Sequence, residues 1–411
     1  MSPIKVLRSI VRPSKNIFRY HPTRPSSTHT KQNRLPASYY RGGTSRAIIF
    51  KESDLPSSRF LWPPIFLGAI GSPDPNGRQL DGLGGGISSL SKVCVVGPST
   101  HKDADVNYTF AAIGVRDREV DFSSNCGNMT SAIGPFAVDS GMVEGLAKGE
   151  GEGGMGRKMV RIHNTNTGKI IHSTFPVVDG EAAAMGEFAI DGVAGTGAKI
   201  ELAFINPASA LYRGSKTGKL LPTGNVVDNF DGIAATCIDA GNPCVFVQAK
   251  DLNVAGSILP DDIDVHPRLL ARLDSIRRQA SVTMGISKDL ASTPGSIPKI
   301  AMVSPRTSHK LLSGEVLDGE AVDLVVRALS VGQPHRAVPI TVAMAMAAAA
   351  NLEGSTVWQN VTERKVDQDG ITIGHSSGKI LVGATFDPEG GLTNATVFRT
   401  ARRIMEGVVY F

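Results

Sequence analysis

The recurrence of short, β-branched apolar runs constrains the fold more than any other feature of this chain. Ala47 to Phe50, Lys92 to Val96, Val106 to Val115, Met159 to His163, Lys199 to Phe204, Cys244 to Val247, Lys299 to Val303 and Lys379 to Val382 each read as a strand. Four stretches carry a helical period: Asn128 to Ser140, Pro267 to Gln279, Asp318 to Leu329 and Ala337 to Leu352, the last being the most apolar. Many short strands with a few long helices predict an α+β chain, each helix packed in or on a mostly antiparallel sheet. At 411 residues, with 45 glycines and 24 prolines, there is length for two or three domains.

Composition removes several classes. At 41% hydrophobic and 20% charged, the chain is neither disordered nor a coiled coil. No run approaches the ~18 apolar residues of a membrane span. Four cysteines (Cys94, Cys126, Cys237, Cys244) are too few for a disulfide scaffold, and no Cys-x-x-Cys pair suggests zinc. A reducing compartment follows. The formal charge of +5 is unevenly spread: residues 1–40 hold eight Lys and Arg and no acid. The rest carries 35 basic against 38 acidic residues, so no basic surface calls for nucleic acid. The acid-free, Arg- and Ser-rich residues 1–40 read as a mitochondrial presequence, with an amphipathic pattern from Ile4 to Arg12; a cytosolic chain with a disordered extension is the alternative.

Three glycine clusters differ in value. Gly149-x-Gly151-x-x-Gly154 fits the dinucleotide pattern, but it follows a helix and precedes a strand, the reverse of the required order, and reads as a surface loop. Gly214 to Lys219 has the wrong spacing for a P-loop and lacks its Ser/Thr. Asp81-Gly82-Leu83-Gly84-Gly85-Gly86-Ile87-Ser88-Ser89 leads into a strand and suits the binding of an anion by backbone N–H groups.

The segment richest in chemistry is Ser123-Ser124-Asn125-Cys126-Gly127-Asn128-Met129-Thr130. Cys126 stands just before an apolar helix, where unpaired N–H groups and the positive dipole end favour thiolate. Such a group can take and return a proton, and the same N–H groups can hold a carboxylate. Cys94, between two valines, reads as core; Cys244 is a weaker second candidate. His101, His163, His172, His266 and His309 show no metal-ligand spacing.

Arg41-Gly42-Gly43-Thr44-Ser45, Gly71-Ser72-Pro73-Asp74, Asp81 to Gly85 through Ser91-Lys92, and Asn125-Cys126-Gly127-Asn128 together resemble the PrpF family. Asp239 to Pro243, Ser296-Ile297-Pro298-Lys299-Ile300, Gly374-His375 and Arg399-Thr400-Ala401-Arg402-Arg403 extend the resemblance from about Tyr39 to Gly407. It implies two similar diaminopimelate-epimerase-like domains, expected over 41–203 and 204–411, each a curved sheet around a central helix, with the active site in the cleft between them. It also implies an isomerase of aconitate-like tricarboxylates, without metal or cofactor, shifting a double bond or interconverting cis and trans forms. Its acid/base pair falls on Lys92 and Cys126. Thr44, Ser45, Gly85, Gly86, Ser88, Asn125, Gly127, Asn128 and His335 are the expected substrate ligands. The partners are a small tricarboxylate and a second copy in a homodimer, with neither nucleic acid nor membrane. The chain departs from the family pattern at Arg336-Ala337-Val338-Pro339-Ile340 and at Ser376, leaving the substrate's third substituent open.

Other readings stay open from the sequence. One is a biosynthetic isomerase of an alkyl-citrate-derived or oxalomesaconate-like triacid. Another is an amino- or hydroxy-acid racemase using Cys126 and Cys244 as facing thiols. The last is a non-catalytic binder of small acids.

Overall fold

Burial explains why the apolar runs become strands. In Lys169 to Val178 every second side chain is buried and the alternate ones half-exposed, the pattern of a strand with one face on a core. Lys92 to Val96 is buried on both faces: Cys94 and Val96 join one core, Val93 and Val95 another. The computed structural model describes residues 31–123, 125–145, 155–209, 215–330 and 332–411. The Gly149–Gly154 cluster, Gly214 and residues 1–30 of the basic extension lie outside that set. Arg34–Phe411 form one compact unit.

The first part of the chain supplies β1 (Arg34–Gly42), β2 (Ser45–Lys51), β3 (Lys92–Pro98), β4 (Val106–Ile113), β5 (Val120–Asp121), β6 (Met155–Asn164), β7 (Lys169–Val178), β8 (Glu181–Ala182) and β9 (Ile200–Ile205). The second supplies β10 (Asp228–Phe230), β11 (Ile233–Asp239), β12 (Pro243–Gln248), β13 (Lys299–Pro305), β14 (His309–Lys310), β15 (Val316–Leu317), β16 (Leu324–Ser330), β17 (Gln333–Pro334), β18 (Ile371–His375), β19 (Gly378–Phe386), β20 (Leu392–Arg399) and β21 (Ala401–Tyr410). The helices are α1 (Trp62–Ile70), α2 (Gly127–Asp139), α3 (Pro260–Val265), α4 (Leu269–Thr283) and α5 (Ile340–Ala349).

The pairing order repeats itself. In the first half β1, β2, β3, β4, β6, β7 and β9 follow one another as antiparallel, parallel, antiparallel, parallel, antiparallel, antiparallel neighbours. In the second half β11, β12, β13, β16, β18, β19 and β20 follow the same sequence of senses. β21 flanks β1 as β10 flanks β11, and β9 joins β20 to connect the halves. The helices repeat too. α1 and α4 stand between the first parallel pair and cover outer faces. α2 and α5 stand between the second pair and lie in one shared inner core with Tyr108, Phe136, Met344 and Phe246. The two similar α+β halves expected from the sequence are therefore present.

Three details differ from expectation. Asp318 to Leu329 is not a helix: a single turn at Gly319–Ala321 leads into β16. A strand buried on both faces and a buried helix share the same unbroken apolar pattern, and the β-branched Val325 and Val326 favour the strand. The basic stretch 1–40 overlaps β1, because Ser38, Tyr39 and Tyr40 are buried between β2 and β21. The expected division after residue 203 falls inside β9, and β21 returns to the first half.

Candidate active site

A cleft of about 1000 Å3 lies where the two central helices begin, lined by residues of both halves. α2 starts at Gly127 with Cys126 as its extended N-cap residue, and no side chain caps it. The first helical N–H bond runs from Thr130 to the Cys126 carbonyl, 3.0 Å. The N–H groups before it are left for whatever occupies the cleft, which Asn125, Gly127 and Asn128 line.

Asn128 is held from two sides. Its Nδ2 donates to Thr44 Oγ1 at 3.0 Å, and its Oδ1 accepts from Arg399 Nε at 3.3 Å. The approach needs glycine at the β1–β2 turn: Gly43 has φ +52°, and a Cβ there would lie 2.4 Å from Asn128 Oδ1. Arg399 also donates to the Phe398 carbonyl, 2.9 Å, and no carboxylate among the described residues pairs with it. Burial lowers its pKa to about 10, which leaves it a cation at neutral pH.

Lys169, Lys216, Lys299 and Lys379 complete a cationic lining. Burial and the charge of Lys216 push Lys169 down to about 8. Lys216 is positioned by Asp239, whose Oδ2 accepts from Ser215 Oγ (3.0 Å), from the Lys216 and Thr217 N–H groups and from Thr217 Oγ1 (each 2.8 Å). The two acids on the wall are engaged elsewhere: Asp191 accepts the Lys379 N–H, and Asp367 faces Lys199 at 3.8 Å. Phe188, Ile190, Phe204, Met344 and Phe398 form an apolar side. His375, buried in the wall, accepts the Ser377 N–H on Nδ1 at 3.2 Å. Burial, Arg327, Arg399 and His309 push its pKa down to about 3, so it is neutral. The cleft thus holds a surplus of positive charge beside apolar surface, suited to a small polyanion with a hydrocarbon backbone.

The structure separates the residues expected from the sequence. Thr44, Asn125, Gly127 and Asn128 line the cleft, with Cys126 between two of them. Lys92 opens β3, buried on the α2 side, its Nζ 5.2 Å from the Phe110 ring centroid. Cys94, next on that face, is fully buried, and burial pushes its thiol up. Ser45 is buried in β2 and does not line the cleft. Gly85, Gly86 and Ser88 do not line it either. Their loop is bound inward, Gly84 N–H to the Ile70 carbonyl (3.0 Å) and Gly86 N–H to Gln79 Oε1 (2.8 Å), so the expected anion cradle is largely a packed loop. His335 sits behind the wall, its N–H on the Ala328 carbonyl (2.8 Å) and its Nε2 buried without a partner. Burial and the charge of Lys299 lower its pKa.

Arg399, Lys299, Lys216, Lys169 and Lys379 line the cleft without having been expected there, although Lys299 and Arg399 stand inside the motifs that carried the resemblance. The two-thiol arrangement is absent: the N-cap of α5 is Pro339, and burial pushes the Cys244 thiol up to about 12. Among the described residues, no group of three or more His, Cys, Asp or Glu is placed to hold a metal, and no helix is long and apolar enough to cross a membrane.

Known proteins share this arrangement of chain. The family described as PrpF protein matches residues 32–411. A 3-methylitaconate isomerase of Eubacterium barkeri is 40% identical over 92% of this chain and 97% of its own length. A 2-methyl-aconitate isomerase of Shewanella oneidensis is 38% identical over 92% and 97%. The crystal structure of a methylitaconate-delta-isomerase superposes with a TM-score of 0.82 at 38% identity, covering 93% of this chain and 96% of that one.

Proposed function

The chain belongs to the PrpF family, and from that membership we propose that it is an isomerase moving a proton across the allylic system of an aconitate-type tricarboxylate, without a metal or organic cofactor. The observation that carries this reading is the α2 N-terminus, where free N–H groups and Asn128 bonded to Arg399 open on a cation-rich cleft, with Cys126 the N-cap residue between the cleft-lining Asn125 and Gly127.

The chemistry follows from the charges. A C–H flanked by a double bond and a carboxylate loses its proton to a base, and its electron pair spreads through the double bond onto the carboxylate. The extra negative charge needs donors already in place, here the helix N–H groups and Arg399. A second group returns a proton at the far allylic carbon, so the double bond moves by one position with no oxidation or reduction. Lys92 and Cys126 are the pair for these two transfers. Substrates to compare are cis-aconitate, 2-methylaconitate, bulkier alkyl homologues and oxalomesaconate. Cys126→Ala and Lys92→Ala should each slow deuterium uptake by the substrate from D2O roughly 10²- to 10⁴-fold with melting temperature preserved. Full exchange in both variants would reject the assignment.

The part of the basic extension ahead of β1, residues 1–33, is proposed as a mitochondrial targeting segment, and the assembly as a homodimer. A fluorescent fusion of residues 1–33 that stays cytosolic, or a monomeric mass by light scattering, would reject each in turn.

A further inference from the structure

The strand repeat makes Lys92 and Lys299 equivalent. Each is the first residue of the strand entering through the first parallel pair of its half, β3 beside β2 and β13 beside β12. Each shares its face with residues of the common inner core, Cys94 and Val96 in one case and Ala301 and Val303 in the other. The partner positions differ: Cys126 stands at the N-cap of α2, but Pro339 stands at that of α5. Proline has no proton to exchange, so the second half retains the lysine of a proton-transfer pair without its thiol.

Lys299 lines the cleft, and no carboxylate among the described residues pairs with it. Lys299 is half-buried, and a cation in a cleft wall without a carboxylate beside it is suited to take its counter-charge from the ligand. Asn242, on the turn between β11 and β12 and also in the cleft wall, has its Nδ2 buried without a hydrogen-bond partner. Lys299 and that turn are neighbours, because Cys244 pairs with Lys299 in the parallel register. A cation and an N–H donor side by side, both unengaged, match the two oxygens of one carboxylate.

We infer that Lys299, assisted by Asn242, receives the third carboxylate of the substrate, and so selects tricarboxylates over the matching dicarboxylates. The inference rests on the tricarboxylate reading and assigns the halves different work: the first transfers protons, and the second anchors the carboxylate remote from them. The named relatives make the distinction concrete, since methylitaconate carries two carboxylates and methylaconitate three.

The test is calorimetric binding of tricarballylate and glutarate, which share a carbon chain and differ by one carboxylate, to wild type, Lys299→Gln, Lys299→Arg and Asn242→Ala. Lys299→Gln should weaken tricarballylate roughly 10- to 100-fold and glutarate much less. Lys299→Arg should recover most of the loss, because a guanidinium also binds carboxylate. Asn242→Ala should show a smaller loss of the same kind, and covers the case in which Lys299→Gln does not fold. Equal losses for both acids, or no loss, would overturn the inference. So would unchanged tricarballylate affinity with deuterium exchange abolished and not rescued by arginine, which would make Lys299 a proton-transfer residue. Binding needs no turnover: triacid selectivity lost in Lys299→Gln, beside a wild type that catalyses no exchange, would uphold the inference and sink the isomerase reading, whereas normal exchange in wild type with selectivity unaltered in Lys299→Gln would do the reverse.

Discussion

Gly127 and Ile340, the first residues of the two central helices, meet across the cleft: a Cβ on Gly127 would lie 2.6 Å from Ile340 Cδ1. Two helix N-termini from separate halves therefore converge on one place, and their positive ends add there. The contact also limits how large residue 127 can be. Gly127→Ala should cost about 1–3 kcal/mol of stability or force Ile340 into the cleft. Trimming the partner should relieve it, so Gly127→Ala/Ile340→Ala should lose less stability than the two single losses sum to. Strict additivity in thermal melts would show that the two helix starts do not press on each other.

The unequal helix starts argue against two-thiol racemase chemistry. Cys244 is buried in β12, and its thiol proton is held well above the usual range. Cys244→Ser should leave isomerase turnover within about twofold of wild type, since the residue serves packing. A loss matching that of Cys126→Ala would restore the two-thiol reading.

Arg399 lines the cleft and donates to Asn128. Arg399→Met removes a cation and leaves Asn128 Oδ1 without its donor, so KM for a triacid should rise roughly 10- to 100-fold. Arg399→Lys should restore charge but not the Nε contact, and recover only part of the affinity. Full recovery by lysine would reduce the role of Arg399 to charge alone.

His375 sets an acid limit on stability. Its pKa is about 3 in the fold against an ordinary 6.5, so between those values the unfolded chain binds a proton that the folded chain does not. Stability should therefore fall as pH drops from about 6.5 to 3, by an amount on the order of 4 kcal/mol from this group. The drop should be smaller in His375→Gln, measured as urea midpoints from pH 7 to 4. An identical acid profile in the two proteins would show that the ring is not held neutral.

Much of the fold was legible because alternation and short apolar runs report burial directly, as in β9 and β3. The helix expected over Asp318 to Leu329 failed because a strand sandwiched between two cores has no polar face to betray its period. α1 went unnoticed behind Pro63 and Pro64, which open that helix without a polar cap. In the cleft wall, Asn125 and Asn128 were readable because their chemistry and helix position lie in one segment. Lys169, Lys216 and Arg399 were not, because each lies on a different strand or loop and only folding gathers them. The glycine cluster at 82–86 misled for a related reason: its backbone freedom is spent on packing against Ile70 and Gln79.

The most direct test of the account is proton NMR of residues 32–411 with cis-aconitate in D2O, without added metal or cofactor, beside Cys126→Ala. The account predicts loss of the allylic proton signal through deuterium uptake, with appearance of an isomeric aconitate, in wild type and not in the variant. If neither cis-aconitate nor 2-methylaconitate and its longer alkyl homologues exchange any proton, the chain is not the isomerase described here.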